Sequence, residues 1–195
     1  MENKEQFSET VLLIDAAYLE NVTKEIKIIY EKKMGRELSL INLLELFTNL
    51  SVSCNLAPSD NNVDVLLVHS AKQTHFSYCS PALLKASHNM TYANELGNYS
   101  SVTFTVDENA DLSTKYLETL QSICQRPEIQ RIGIVGATNE TMEEITHIIE
   151  QTDGKDFTVF DLVKTEDAGT FRIAPILFPV IAALGVTPED LAKKQ

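Results

Sequence analysis

The chain has 195 residues, 44% hydrophobic and 23% charged, which suits one compact domain burying roughly 70% of its unfolded surface. Seven glycines, six prolines and three cysteines exclude a collagen, a low-complexity chain and a small disulfide scaffold. Sixteen basic against 28 acidic residues leave a net charge of −12, the opposite balance from a generic binder of nucleic-acid phosphates.

Val11-Leu12-Leu13-Ile14-Asp15 is a short apolar run ending in an acid. Such runs read as buried parallel strands. The spacing of Val22, Ile26 and Ile29 predicts a helix over Val22–Lys33, with Gly35 ending it. Ser39 is expected to cap a second helix, with Leu40, Leu43, Leu44, Phe47 and Leu50 on one apolar face. Asn55–Asn62 is turn-rich. Val63–Val68 reads as the second strand. His69–Tyr99 reads as an irregular excursion with a short helix at Pro81–Lys85; loops of this length are often functional.

Ser101–Val106 alternates and is β-rich, a third strand. Leu112, Tyr116, Leu117, Leu120 and Ile123 predict an amphipathic helix over Leu112–Cys124. Arg131–Gly136 reads as the fourth strand, with a glycine exit. Asn139 is expected to cap a helix that turns Met142, Ile145, Ile148 and Ile149 inward. Phe157–Leu162 reads as the fifth strand. Pro175–Leu184 reads as a helix stopped by Gly185, and Thr187-Pro188-Glu189-Asp190 starts a last one. The alternation predicts a three-layer α/β fold of Rossmann-like or PIN-like kind. Its mostly parallel central sheet has about five strands, with helices on both faces. One domain is expected over 1–195, with a core over 11–162 and a C-terminal helical segment over 171–195. Charge is uneven: residues 107–167 carry a net of −9, whereas residues 24–36 carry +3.

Met1–Thr10 is polar, with no apolar run to serve as a signal peptide. No stretch is long and apolar enough to span a membrane. Cys54, Cys79 and Cys124 are odd in number without CxxC spacing, which predicts reduced thiols and a cytoplasmic location.

In open parallel sheets, chemistry gathers beyond the carboxyl ends of the strands. Here those ends carry Asp15, His69-Ser70, Asp107–Asp111 and Gly136–Glu140. Asp15 has two readings: a ligand for a divalent cation or substrate group, and a cap for the turn that follows. A dinucleotide site is disfavoured, because the first strand exits into Ala16-Ala17-Tyr18 without GxGxxG. A P-loop is absent, and Ala17 stands where an aspartyl-nucleophile phosphatase needs a second acid. His75, Cys79 and His88 match no standard zinc spacing. There is no GxSxG elbow, and His147 reads as structural. Lys24, Lys27, Lys32, Lys33 and Arg36 form a basic stripe that Glu25 and Glu31 interrupt, which suits a solvated helix face.

The segment Val11–Leu19 resembles the opening strand of NYN domains, members of the PIN-like nuclease superfamily. Asn109-Ala110-Asp111-Leu112 resembles the family's second acidic position. Arg131–Glu140 resembles the strand and turn that carry Gly-Asp-x-Asp, and Phe157–Phe160 the strand after it. The resemblance covers roughly residues 11–162 and implies a ribonuclease that uses Mg²⁺ or Mn²⁺. Asp15 and Asp111 would then be catalytic and metal ligands, Asn139 or Glu140 would orient water, and Lys24 or Lys27 would contact phosphate. The chain departs from the motif at Gly136-Ala137-Thr138-Asn139, which lacks both acids. Either Glu140 or Asp107 rebuilds the cluster, or catalysis has gone and the domain binds RNA or a protein partner. The apolar Ile173–Leu191 segment could then contact a second copy of the chain or simply pack on the sheet. A third reading is a small-molecule pocket lined by His69, His75 and Tyr78, with His69 in a substrate-binding role.

Overall fold

The computed structural model describes residues 6–56 and 61–192. The expected turn at Asn55–Asn62 and the two chain ends therefore lie partly outside the described residues. In chain order the elements are β1 (Thr10–Asp15), α1 (Ala16–Met34), β2 (Ile41–Asn42), α2 (Leu43–Ser53), β3 (Asn61–Ser70), β4 (Cys79–Ser80), a single 3-10 turn (Leu84–Ser87) where a short helix was expected at Pro81–Lys85, β5 (Met90–Asn94) and β6 (Gly97–Val106). Then come α3 (Leu112–Cys124), β7 (Arg131–Val135), α4 (Met142–Glu150), β8 (Asp156–Asp161), β9 (Glu166–Asp167), β10 (Arg172–Pro175), α5 (Leu177–Ala183) and α6 (Pro188–Ala192).

Eight strands form the main sheet in the order β5-β6-β3-β1-β7-β8-β10-β9. Six of them, β6 through β10 in that order, run parallel. Taken by first appearance along the chain, their order is 3-2-1-4-5-6, the order of doubly wound nucleotide-binding sheets. β5 and β9 close the two edges as antiparallel partners of β6 and β10. The sheet therefore has eight strands rather than about five.

Alternation along β1 splits the core into two layers. Leu12 and Ile14 point into a cluster with Leu19 and Ile26 of α1, Phe47 and Leu50 of α2, and Val180 of α5. Val11 and Leu13 point the other way, to Tyr116, Leu120 and Ile123 of α3 and Ile145 and Ile149 of α4. Both faces of β1 are buried, which explains why its sequence is continuous rather than alternating. Truncating Leu12 to alanine in this close-packed centre should cost about 2–5 kcal/mol.

Local chemistry moves several boundaries. α1 starts at Ala16, six residues before the expected Val22, because Asp15 caps it directly. Gly35 ends it as expected, with φ 66° and its N–H on Glu31 O at 2.9 Å. Ile29 is not on the buried face of α1; it is 59% exposed. Asn42, not Ser39, caps α2: Asn42 Oδ1 accepts from Leu44 N at 3.0 Å. Leu40 therefore lies outside the helix and is exposed. Asn139 does not cap α4 either. Thr141 precedes that helix, and its hydroxyl accepts from Thr138 N at 3.0 Å. Arg172–Pro175 is a strand, so the helix expected from Pro175 begins at Leu177. Thr187 and Asp190 cap α6 reciprocally, each backbone N–H donating to the other's side chain at 3.1–3.2 Å.

Candidate functional site

In a doubly wound sheet the crevice opens where strand order reverses, beyond the carboxyl ends. Here the reversal falls between β1 and β7, and the residues at that point are Asp15 and Gly136. Asp15 Oδ1 accepts from Ala17 N at 2.8 Å and from Tyr18 N at 3.1 Å. These are orphan amides of the first turn of α1, so the carboxylate also sits at the positive end of the helix dipole. Burial raises the carboxyl above its ordinary value, and the two amide bonds oppose that shift. Desolvation wins, because it acts on the whole charged group while the amides reach one oxygen.

Gly136 makes room for this arrangement. Its φ is 134°, a region that side-chain-bearing residues rarely adopt. A Cβ there would meet the Asp15 Cβ at 2.6 Å and the Tyr116 ring at 3.3 Å. Tyr116 comes from α3 and is buried. Its hydroxyl donates toward Val135 O at 3.1 Å and Leu13 O at 3.3 Å, bridging the ends of β7 and β1. Burial, then the Asp15 carboxylate, holds that phenol well above its ordinary value. Gln73, in the loop after β3, donates from Nε2 to Ala16 O at 3.0 Å. Sequence reasoning missed Tyr116 and Gln73 as parts of this crevice. Tyr116 was legible only as a core position, and Gln73 lies in an unpatterned loop.

Asp111 is exposed at the start of α3, where its Oδ2 accepts from Thr114 N at 2.8 Å and Thr114 Oγ1 at 2.6 Å. The Thr114 hydroxyl and amide hold its carboxyl below the ordinary value. Asn139 and Glu140 are exposed on the turn after β7. Asp107 is exposed after β6. Asp161, at the end of β8, is exposed and accepts from Val163 N and Lys164 N.

His69 is buried and both ring nitrogens are engaged: Nδ1 donates to Ser70 O at 2.9 Å, and Nε2 shares a hydrogen bond with Thr105 Oγ1 at 3.2 Å. Lys27 is buried too, with Nζ donating to Glu31 and to Leu38 O, so it ties α1 to the following loop. Lys24 is exposed on α1. His75 is bonded to Thr74 and His88 to Thr103, while burial pushes the Cys79 thiol up to about 12. The three cysteines are free and buried.

Mg²⁺ and Mn²⁺ need several oxygen ligands converging on one point. Among the described residues no group of three or more His, Cys, Asp or Glu side chains is arranged to hold a metal ion. Asp15 and Asp111 each cap their own helix, which commits one oxygen of each carboxylate to local hydrogen bonds. The Ile173–Leu191 segment keeps its apolar side inside the fold: Ile176, Val180, Ile181 and Leu184 are buried, and Phe178 is 62% exposed. Among the described residues no helix is long and apolar enough to cross a membrane.

The sequence profile described as "Family of unknown function (DUF6621)" matches residues 4–191. No curated protein and no solved structure matches the chain.

Proposed function

The chain belongs to the family of unknown function DUF6621, and from its own residues we propose that it is a divergent NYN-type, PIN-like module that binds a protein partner rather than cleaving RNA. One observation carries this reading. The two acids that the resemblance would place around a cation, Asp15 and Asp111, are engaged as N-caps of α1 and α3. The third position, at the exit of β7, reads Gly136-Ala137-Thr138-Asn139 and offers no carboxylate.

A protein suits the carboxyl end of the sheet better than RNA does. Asp107, Glu108, Asp111 and Asp161 are all exposed there, and they repel phosphates. On the Asp161 side of that end, Tyr18, Leu162 and Leu177 are partly buried hydrophobics packed against one core, while Val163 and Phe178 are exposed at 65% and 62%. Exposed apolar side chains next to polar ones are the usual makings of a protein contact.

The test is an RNA-cleavage assay with Mn²⁺ or Mg²⁺ on single-stranded and structured RNA, paired with a gel shift. The expected result is no cleavage above the level of Asp15→Asn and no shift at physiological salt. Metal-dependent cleavage that disappears in Asp15→Asn would restore the ribonuclease with a rebuilt acidic site. A shift without cleavage would make RNA the partner.

A further inference from the structure

The two layers covering the sheet carry complementary surfaces. On the α3/α4 side, a groove of about 830 Å³ runs between the helices. Leu117, Met142 and Ile148 give it apolar walls, and Glu143, Glu144 and Glu150 line it as exposed acids. Glu118 also lines it but pairs with Lys115 at 2.6 Å. The groove sits within the segment of net charge −9 over residues 107–167.

On the opposite layer, α1 presents the reverse pattern. Ile28 and Ile29 are 49% and 59% exposed. Lys24, Lys32 and Lys33 are exposed on the same side of the helix, with Glu25 the acid among them. Two adjacent β-branched apolar residues held in water are costly in isolation and informative as a pair. The spacings agree as well. Lys24 and Lys32 are separated by about 12 Å along the helix, and Glu143 and Glu150 by about 10 Å. In both elements the apolar side chains lie between or beside the charges.

We propose that the α1 stripe of one copy of this chain docks in the α3/α4 groove of another. Ile28 and Ile29 would enter the apolar floor, and the flanking lysines would meet the glutamates. Because the two surfaces lie on opposite faces of one rigid sheet, a copy cannot use both against the same partner. The contact is heterologous, so it propagates head to tail into a ring or an open chain instead of closing as a two-fold dimer. This surface is separate from the crevice at Asp15, and the inference stands independently of the reading given to that crevice.

Sedimentation of the full chain across a concentration series, at low and at high salt, tests it. At low salt the mean mass should climb past that of a dimer, and it should fall toward monomer as salt rises. Two variants separate the surfaces: Ile28→Asp with Ile29→Asp breaks the stripe, and Glu143→Lys with Glu144→Lys breaks the groove. Each alone should associate at least about tenfold more weakly than wild type. An equimolar mixture retains one intact stripe and one intact groove, so it should form a dimer and nothing larger. All four positions are exposed, and circular dichroism checks that the variants fold. If the stripe variant does not fold, Lys24→Ser with Lys32→Ser replaces it, which removes the stripe's charge without making it complementary to the altered groove. A wild type that stays monomeric throughout the low-salt series overturns the proposal. So does a mixture that stays monomeric, or association unaffected by either pair of substitutions.

Discussion

Asp15 and Asp111 do the same local job in opposite surroundings. Each ends an extended segment and caps the helix that follows. Asp15 sits in a half-buried crevice between β1 and β7, and burial raises its carboxyl. Asp111 stands in solvent, and the Thr114 hydroxyl and amide lower it. An aspartate at a strand end is thus not by itself a cation site. Its surroundings decide whether its charge is held available, strained or simply stabilised.

The crevice side of the comparison breaks most visibly at Gly136. A Gly136→Val substitution must place a side chain against Asp15 at φ 134°. The expected loss is about 3 kcal/mol in urea unfolding. An unchanged midpoint would mean that β7 can leave the sheet by another path. Next in size is Tyr116→Phe, which removes a buried hydroxyl from two carbonyls. A loss of about 1–2 kcal/mol is expected.

Asp15 itself sharpens the contrast. Asp15→Ala removes a helix cap and should cost about 1 kcal/mol. Asp15→Asn keeps a capping oxygen without the buried charge. Because the folded value of Asp15 is raised, the native state prefers its neutral form. Wild-type stability from this group is full below the unfolded value and is lost as pH rises through the folded one. At neutral pH, Asp15→Asn should therefore match or exceed wild type, and the gap should close in acid. Asp111→Asn should behave with the opposite sign. Its folded value is lowered, so its contribution is present above the unfolded value and is lost as pH falls through the folded one. The effect should be small, and thermal melts of the two variants from acid to neutral pH would read both slopes. Parallel slopes would remove the distinction between the sites.

The parts of the fold legible in the sequence were those where burial dictates pattern. Val11–Ile14, Val63–Val68 and Arg131–Val135 are apolar runs because helices cover both faces of their strands. β5 and β9 were invisible for the converse reason. They are edge strands, largely exposed, with no apolar run to mark them. Arg172–Pro175 was read into the helix behind it because both are apolar. The cap at Asn42 was missed because Ser39, three residues earlier, has equal propensity, and only tertiary packing chooses between them. At the site, Asp15 was legible from its place after a buried run. Its contact with Gly136 and Tyr116 depends on strand order, which no local pattern contains. The exposure of Ile29 reflects the rotation of α1 on the sheet, set by Leu19, Val22 and Ile26 together with the buried Thr23 and Lys27.

In the function proposed above, Asp15 and Asp111 serve their helices and do not share a cation. Isothermal titration with Mn²⁺ and Mg²⁺, on wild type and on Asp15→Asn, tests it most directly. No saturable heat is expected in either protein. A stoichiometric binding heat in wild type that vanishes in Asp15→Asn would contradict it.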